Sequence, residues 1–205
     1  MIFEFVGFPG TGKTTLAEKL AKETNIPIIS RVSMKKNLFK MGMFFVRHPL
    51  IALNVVRCIY RKESTPQCHK KRLFKEILTK YIDLRGDTIF DEGLIQRFAA
   101  MVPPGKFKKS GKILGKISSQ HIIVLCEAPK TICLERIAKR GRMPRAKFLN
   151  ANERDEWLLD IEENMEYIKQ VNILNTNSTF INVETADINS AHKELYKKVS
   201  KILKS

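Results

Sequence analysis

Cysteines in ligand-like pairs, long uninterrupted apolar runs and acidic residues are all in short supply in this 205-residue chain. Each shortage closes off a class of protein. The four cysteines, Cys58, Cys68, Cys126 and Cys133, form no C-x-x-C pair and meet no histidines at zinc-finger spacing, so a thiolate metal site is not expected. Cys126, in an apolar strand-like run, and Cys133, in a helical pattern, read as small buried hydrophobes of a reducing compartment. His48, His69, His121 and His192 show no paired metal spacing and are assigned no catalytic role. The most apolar stretch, Leu38 to Tyr60, is interrupted by Lys40, Arg47, His48, Pro49 and Arg57, which excludes a spanning helix and leaves only surface contact open. With no basic leader before a cleavable apolar region, the sequence reads as cytoplasmic. Acids number 21 against 37 Lys and Arg, a formal net charge of +16. Attraction to phosphates, nucleic acid or an anionic membrane is therefore available, and charge alone does not choose among them. The length suits one well-buried core and is short for two domains.

What the chain does have begins at its amino terminus. Gly7-Phe8-Pro9-Gly10-Thr11-Gly12-Lys13-Thr14 follows the apolar run Ile2 to Val6 and opens a helical pattern, giving a complete G-x-x-x-x-G-K-T phosphate loop in strand-to-helix context. Its glycines let consecutive backbone N–H groups turn inward around phosphates, and the following helix presents its positive dipole end to the same anion. The residues predicted to cradle a nucleoside triphosphate are Gly7, Pro9, Gly10, Thr11, Gly12, Lys13, Thr14 and Thr15. Lys13 is placed to reach the β and γ phosphates, and Thr14 to offer its hydroxyl to magnesium.

Further strand-like runs lie at Ile26 to Ile29, Thr88 to Phe90, Ile122 to Cys126 and Phe180 to Val183, separated by helical spacing. That alternation argues for a parallel sheet covered on both faces. Leu16, Leu20 and Ala21 mark the helix after the phosphate loop. A helix from Pro129, burying Ile132, Leu134 and Ile137, stops near Gly141. Trp157, Ile161, Met165 and Ile168 stripe an amphipathic helix, and Leu195, Val199 and Ile202 a C-terminal one.

Two more constellations carry chemistry. Thr88-Ile89-Phe90-Asp91-Glu92-Gly93 brings carboxylates out of a buried strand, and ligands sit beyond the carboxyl ends of parallel strands. Asp91 is predicted to hold magnesium through water. Glu92 is a candidate base or acceptor anchor, or one of the two acids simply caps the helix near Leu94. Farther on, Arg136 and Arg140 lie one helical turn apart, with Arg142 and Arg145 in a Gly/Pro-containing loop. Cations so placed suit an arginine lid that stabilises charge in phosphoryl transfer and excludes water. The plainer alternative is a helix C-terminus complemented by cations, or a solvated basic face.

These three motifs, GFPGTGKTT, FDEG and CLERIAKRGR, resemble the P-loop nucleotide and nucleoside kinase superfamily, with its thymidylate, deoxynucleoside and small-metabolite kinase members. The resemblance spans most of the chain. It implies a three-layer α/β/α fold with a five-stranded parallel sheet in the order 2-3-1-4-5, and ATP with magnesium as the phosphoryl donor. Under it, residues 1–205 form one domain, with 31–86 a helical acceptor-binding insertion and 141–152 the lid. Lys13, Asp91, Glu92, Arg136, Arg140 and Arg142 become the catalytic set, Arg136 and Arg140 also contact ATP, and Thr14 and Asp91 hold the metal. Thymidylate kinases typically show Asp-Arg and deoxynucleoside kinases Glu-Arg-Ser where this chain has Asp91-Glu92, so the acceptor is left open.

The interval from Arg31 to Lys75 holds twelve Lys and Arg against the single acid Glu63. Three readings stand: it focuses an anionic small acceptor, it lies on nucleic acid or anionic lipid with Phe39, Phe44, Phe45 and Tyr60 interleaved, or it is a solvated surface. Lys106, Lys108, Lys109, Lys112 and Lys116 form a second basic stretch. The leading expectation is a kinase acting on a nucleotide, nucleoside or anionic metabolite. The alternatives are an NTP-dependent binding protein or NTPase on nucleic acid or membrane, and a polynucleotide end kinase.

Overall fold

The computed structural model describes residues 1–29, 86–100, 102–105, 107–108, 121–141, 149–171 and 179–204, with 46, 49 and 53. Strands β1 (Ile2–Gly7), β2 (Thr88–Phe90), β3 (His121–Glu127) and β4 (Thr179–Glu184) form one sheet ordered β2-β1-β3-β4. Every pairing is parallel, with Ile2 opposite both Thr88 and His121. Helices α1 (Lys13–Thr24), α2 (Leu94–Ala99), α3 (Lys130–Lys139), α4 (Ala151–Val171) and α5 (Ile188–Lys204) complete the described elements.

Successive strand side chains point to opposite faces, and here both faces are covered, so the strands read as continuous apolar runs. Phe3, Phe5, Val124, Ile181 and Val183 meet Leu16 and Leu20 of α1 and Leu195 and Val199 of α5. On the other face Val6, Ile123 and Leu125 meet Phe98 of α2 and Ile161, Met165 and Ile168 of α4. Helix, sheet and helix make three layers. The chain is thus an α/β protein with a parallel sheet, and among the described residues no helix is long and apolar enough to cross a membrane.

One expectation, the burial of Leu134 in α3, is corrected. Four strands pair among the described residues. Ile26 to Ile29 contributes one isolated parallel bridge, Ile28 to Ile89, framed by Ile29 N–H to the Ile89 carbonyl at 2.8 Å and Ile89 N–H to the Pro27 carbonyl at 2.9 Å. Pro27 has no N–H to extend that ladder. In α3, Leu134 is exposed and Cys133 is the buried residue, with Ile132 and Ile137 half-buried. Residues two apart, such as Ile132 and Leu134, leave a helix in nearly opposite directions, so only one of the two can face inward.

Helix α4 starts with a reciprocal capping box: Glu153 N–H donates to the Asn150 side chain and Asn150 N–H to the Glu153 carboxylate, both at 2.9 Å. Gly7, Asp91, Ala128 and Thr185 end or follow the four strands. They therefore share the carboxyl edge of the sheet, where ligands of such folds bind.

Candidate active site

Residues 8–12 leave β1 and turn into α1, with Gly10 and Gly12 in left-handed backbone conformations, φ +91° and +88°. A Cβ at Gly10 would strike the Cys133 carbonyl, and one at Gly12 the Ile188 side chain. Torsion disfavours larger residues at both positions, and at Gly10 the Cys133 backbone also blocks them. The buried Lys13 lies back over this loop: its Nζ donates to the Gly7 and Phe8 carbonyls at 2.8 Å each and reaches Thr11 Oγ1 at 3.4 Å. Thr11 Oγ1 in turn donates to the Phe8 carbonyl at 2.9 Å. Thr14 is exposed and Thr15 half-buried on the first turn of α1.

Helix α3 crosses this loop. Its Arg136 guanidinium donates to the carbonyls of Gly10 at 3.4 Å, Thr185 at 3.0 Å and Ala186 at 2.8 Å, tying the phosphate loop to the β4–α5 connection. Arg140, at the C-terminal cap of α3, is exposed. Burial pushes the Cys133 thiol up in pKa, against the opposing pull of Lys13 and Arg136, and burial raises Cys126 to about 12. Both are inert thiols rather than nucleophiles.

On the other side of the loop, Asp91 follows β2 and is buried. Glu92 is only partly exposed, and its carboxylate pairs with the buried Arg97 guanidinium of α2 at 3.1 Å. Gln96, one residue earlier on α2, accepts the Gly7 N–H at 2.8 Å. The acid pair and the phosphate loop are thus served by one short helix.

A cavity of about 480 Å³ opens beside the loop, lined among others by Phe8, Thr11, Glu127, Lys130, Glu166 and Lys169. Burial lowers the Lys169 pKa, but hydrogen bonds and charge from Glu127 and Glu166, each 2.7 Å away, outweigh it and leave the group raised. Lys130 pairs with Glu162 at 2.5 Å. The volume lies within the range of small-molecule sites.

A family model described as an AAA domain matches residues 2–162, more than half of the chain. The chain belongs to the AAA domain family. Its fold is similar to those of P-loop kinases. Deoxyadenosine kinase from M. mycoides with bound dATP aligns with a TM-score of 0.60 at 15% identity, covering 98% of this chain and 100% of that one. Shikimate kinase from Bacteroides thetaiotaomicron aligns with a TM-score of 0.51 at 12% identity, covering 100% and 99%. Shikimate kinase from Acinetobacter baumannii, in complex with shikimate, aligns with a TM-score of 0.50 at 13% identity, covering 98% and 92%. No curated protein matches the sequence.

In this AAA domain, Gly7 to Thr15, Asp91, Glu92, Arg136 and Arg140 all lie on elements at the carboxyl edge of the sheet. Arg142 and Arg145, with the rest of 142–148 in the 141–152 lid, and nearly all of the basic 31–86 interval lie outside the described residues. Sequence reasoning passed over Glu4, Gln96 and Arg97, and set His121 aside. Of these only Glu4 carries a visible signal, as the one charge inside the apolar run Ile2 to Val6.

Proposed function

We propose that this protein is an ATP- and magnesium-dependent phosphotransferase that moves the γ-phosphoryl group onto an oxygen of a small acceptor: a nucleoside, a nucleotide or an anionic metabolite. The observation that carries the reading is the glycine-formed loop with the buried Lys13, set beside Asp91 at the carboxyl edge of the sheet. The fold shared with deoxyadenosine and shikimate kinases supports it.

The acceptor oxygen bonds to the γ-phosphorus, the bond to the β–γ bridging oxygen breaks, and ADP leaves with that electron pair; a hydroxyl acceptor also loses its proton. Little covalent work falls to the protein, which positions the reactants and supplies positive charge. Lys13 swings from its loop carbonyls to the β and γ oxygens. Loop amides and the N-terminus of α1 hold the rest of the triphosphate. Arg136 and Arg140, with Arg142 from a lid over 141–152, neutralise charge on the transferring group. The donor set fits magnesium, which the Thr14 hydroxyl and, through water, the Asp91 carboxylate would hold. The ion adds charge neutralisation at the phosphates.

Glu92, oriented by Arg97, takes the acceptor proton or anchors the acceptor. Residues 31–86 form the acceptor-binding insertion. Ile26 to Ile29 takes the outer position of a sheet ordered 2-3-1-4-5, and the protein works in the cytoplasm.

The test is a phosphorus NMR screen of MgATP with pooled nucleosides, nucleotides, sugars and acidic metabolites. A new phosphoester or phosphoanhydride resonance from the acceptor that appears with ADP and is absent in Lys13→Ala is the expected result. Turnover of ATP to ADP and free phosphate alone, with every pool, contradicts phosphotransfer.

A further inference from the structure

On β1, Glu4 is fully buried on the face that α2 covers. One carboxylate oxygen accepts the N–H groups of Ile95 at 2.5 Å and Gln96 at 3.3 Å, in the first turn of α2. The other faces Nδ1 of the buried His121 on β3 at 3.0 Å. With Nδ1 donating to Glu4, the remaining His121 nitrogen has no partner among the described residues.

The helix is capped from a neighbouring strand rather than locally. Gly93 holds the N-cap position and supplies no side-chain bond, and a Cβ there would collide with the Glu4 carboxylate. The glycine of the FDEG motif is therefore explained by Glu4. From the same turn of α2, the buried Gln96 side chain accepts the Gly7 N–H at 2.8 Å. One continuous chain runs from His121 through Glu4 and α2 to Gly7, the first residue of the phosphate loop. It begins its passage through α2 directly after Asp91 and Glu92.

Burying a carboxylate in a core strand costs stability that an apolar residue there would not. A purely structural cap also has no need to end on the phosphate loop. We propose that Glu4 and Gln96 are positioning residues for phosphoryl transfer, fixing the acidic loop 91–93 and the start of the phosphate loop to one helix and so setting their separation. The proposal rests on the phosphotransferase reading above. Asn164 provides an internal control: it is fully buried and its Nδ2 donates to the Ala99 and Val102 carbonyls at 2.8 Å each, anchoring the far end of α2.

The experiment titrates a fluorescent ATP analogue with magnesium into wild type, Gln96→Leu, Glu4→Leu, Glu4→Gln and Asn164→Ala, with the melting temperature of each. Gln96→Leu leaves the Gly7 N–H unpaired, and both it and Glu4→Leu are expected to weaken binding about tenfold or more. Glu4→Gln keeps an acceptor for the α2 amides and a group for His121, and restores affinity to within about threefold of wild type. Asn164→Ala melts lower with unchanged affinity. Unaltered affinity in Gln96→Leu, or losses that merely follow melting temperature through to Asn164→Ala, overturn the proposal. If Glu4→Leu does not fold, Gln96→Leu decides. Failure of wild type to bind overturns the phosphotransferase reading and this inference together, whereas binding by wild type with an indifferent Gln96→Leu overturns the positioning role alone.

Discussion

Cys126 sits almost fully buried at the carboxyl end of β3, its thiol held protonated up to about pH 12 by burial. An unfolded chain releases that proton near 9.0. Between those values the unfolded state binds fewer protons than the folded one, so stability falls as pH rises, by up to about 1.4 kcal/mol per unit. Below that window the contribution is fully present. The urea midpoint of wild type should therefore approach that of Cys126→Ala between pH 8 and pH 10.5. A constant gap over that range contradicts the burial-driven shift.

At the same scale, Gly10→Ala combines φ +91° with a collision against the Cys133 carbonyl. It should cost at least about 1–3 kcal/mol and displace α3 from the loop, read as a lower melting temperature together with lost nucleotide binding. The loop residues were legible because each of their roles is local to a short motif. Gln96 and Arg97 were not, since nothing in their neighbours marks where α2 docks. His121 and Glu4 lie 117 positions apart in sequence and meet only through the pairing of β1 with β3.

Among elements, those with complete patterns were read correctly. The stripe Leu195, Val199 and Ile202 became α5, and a proline before and a glycine after bracketed α3. Strands buried on both faces left continuous apolar runs. The one failure has a physical cause: α3 packs inward through Cys133, against the phosphate loop, and leaves Leu134 exposed. Two substitutions separate packing from capping. Leu195→Ala empties a fully buried site between α5 and the sheet and should cost about 2–5 kcal/mol in denaturant unfolding. Asn150→Ala removes one half of the α4 capping box and should cost about 1 kcal/mol in the same unfolding.

For the whole molecule, the parallel sheet gathers the phosphate loop, the acidic loop and the arginine helix at one edge, with α1 and α5 packed on one face and α2 and α4 on the other. The net charge of +16 adds a long-range attraction for anions that salt will screen. A ligand that binds only the folded state must also stabilise it by mass action. The most direct measurement is isothermal titration calorimetry of MgATP into wild type and Lys13→Ala at matched stability. Saturable one-site binding by wild type, weakened at least about tenfold by the substitution, is the predicted result. No heat of association for wild type at millimolar nucleotide, or equal affinity in the two proteins, would contradict the assignment of this loop and its lysine to a triphosphate.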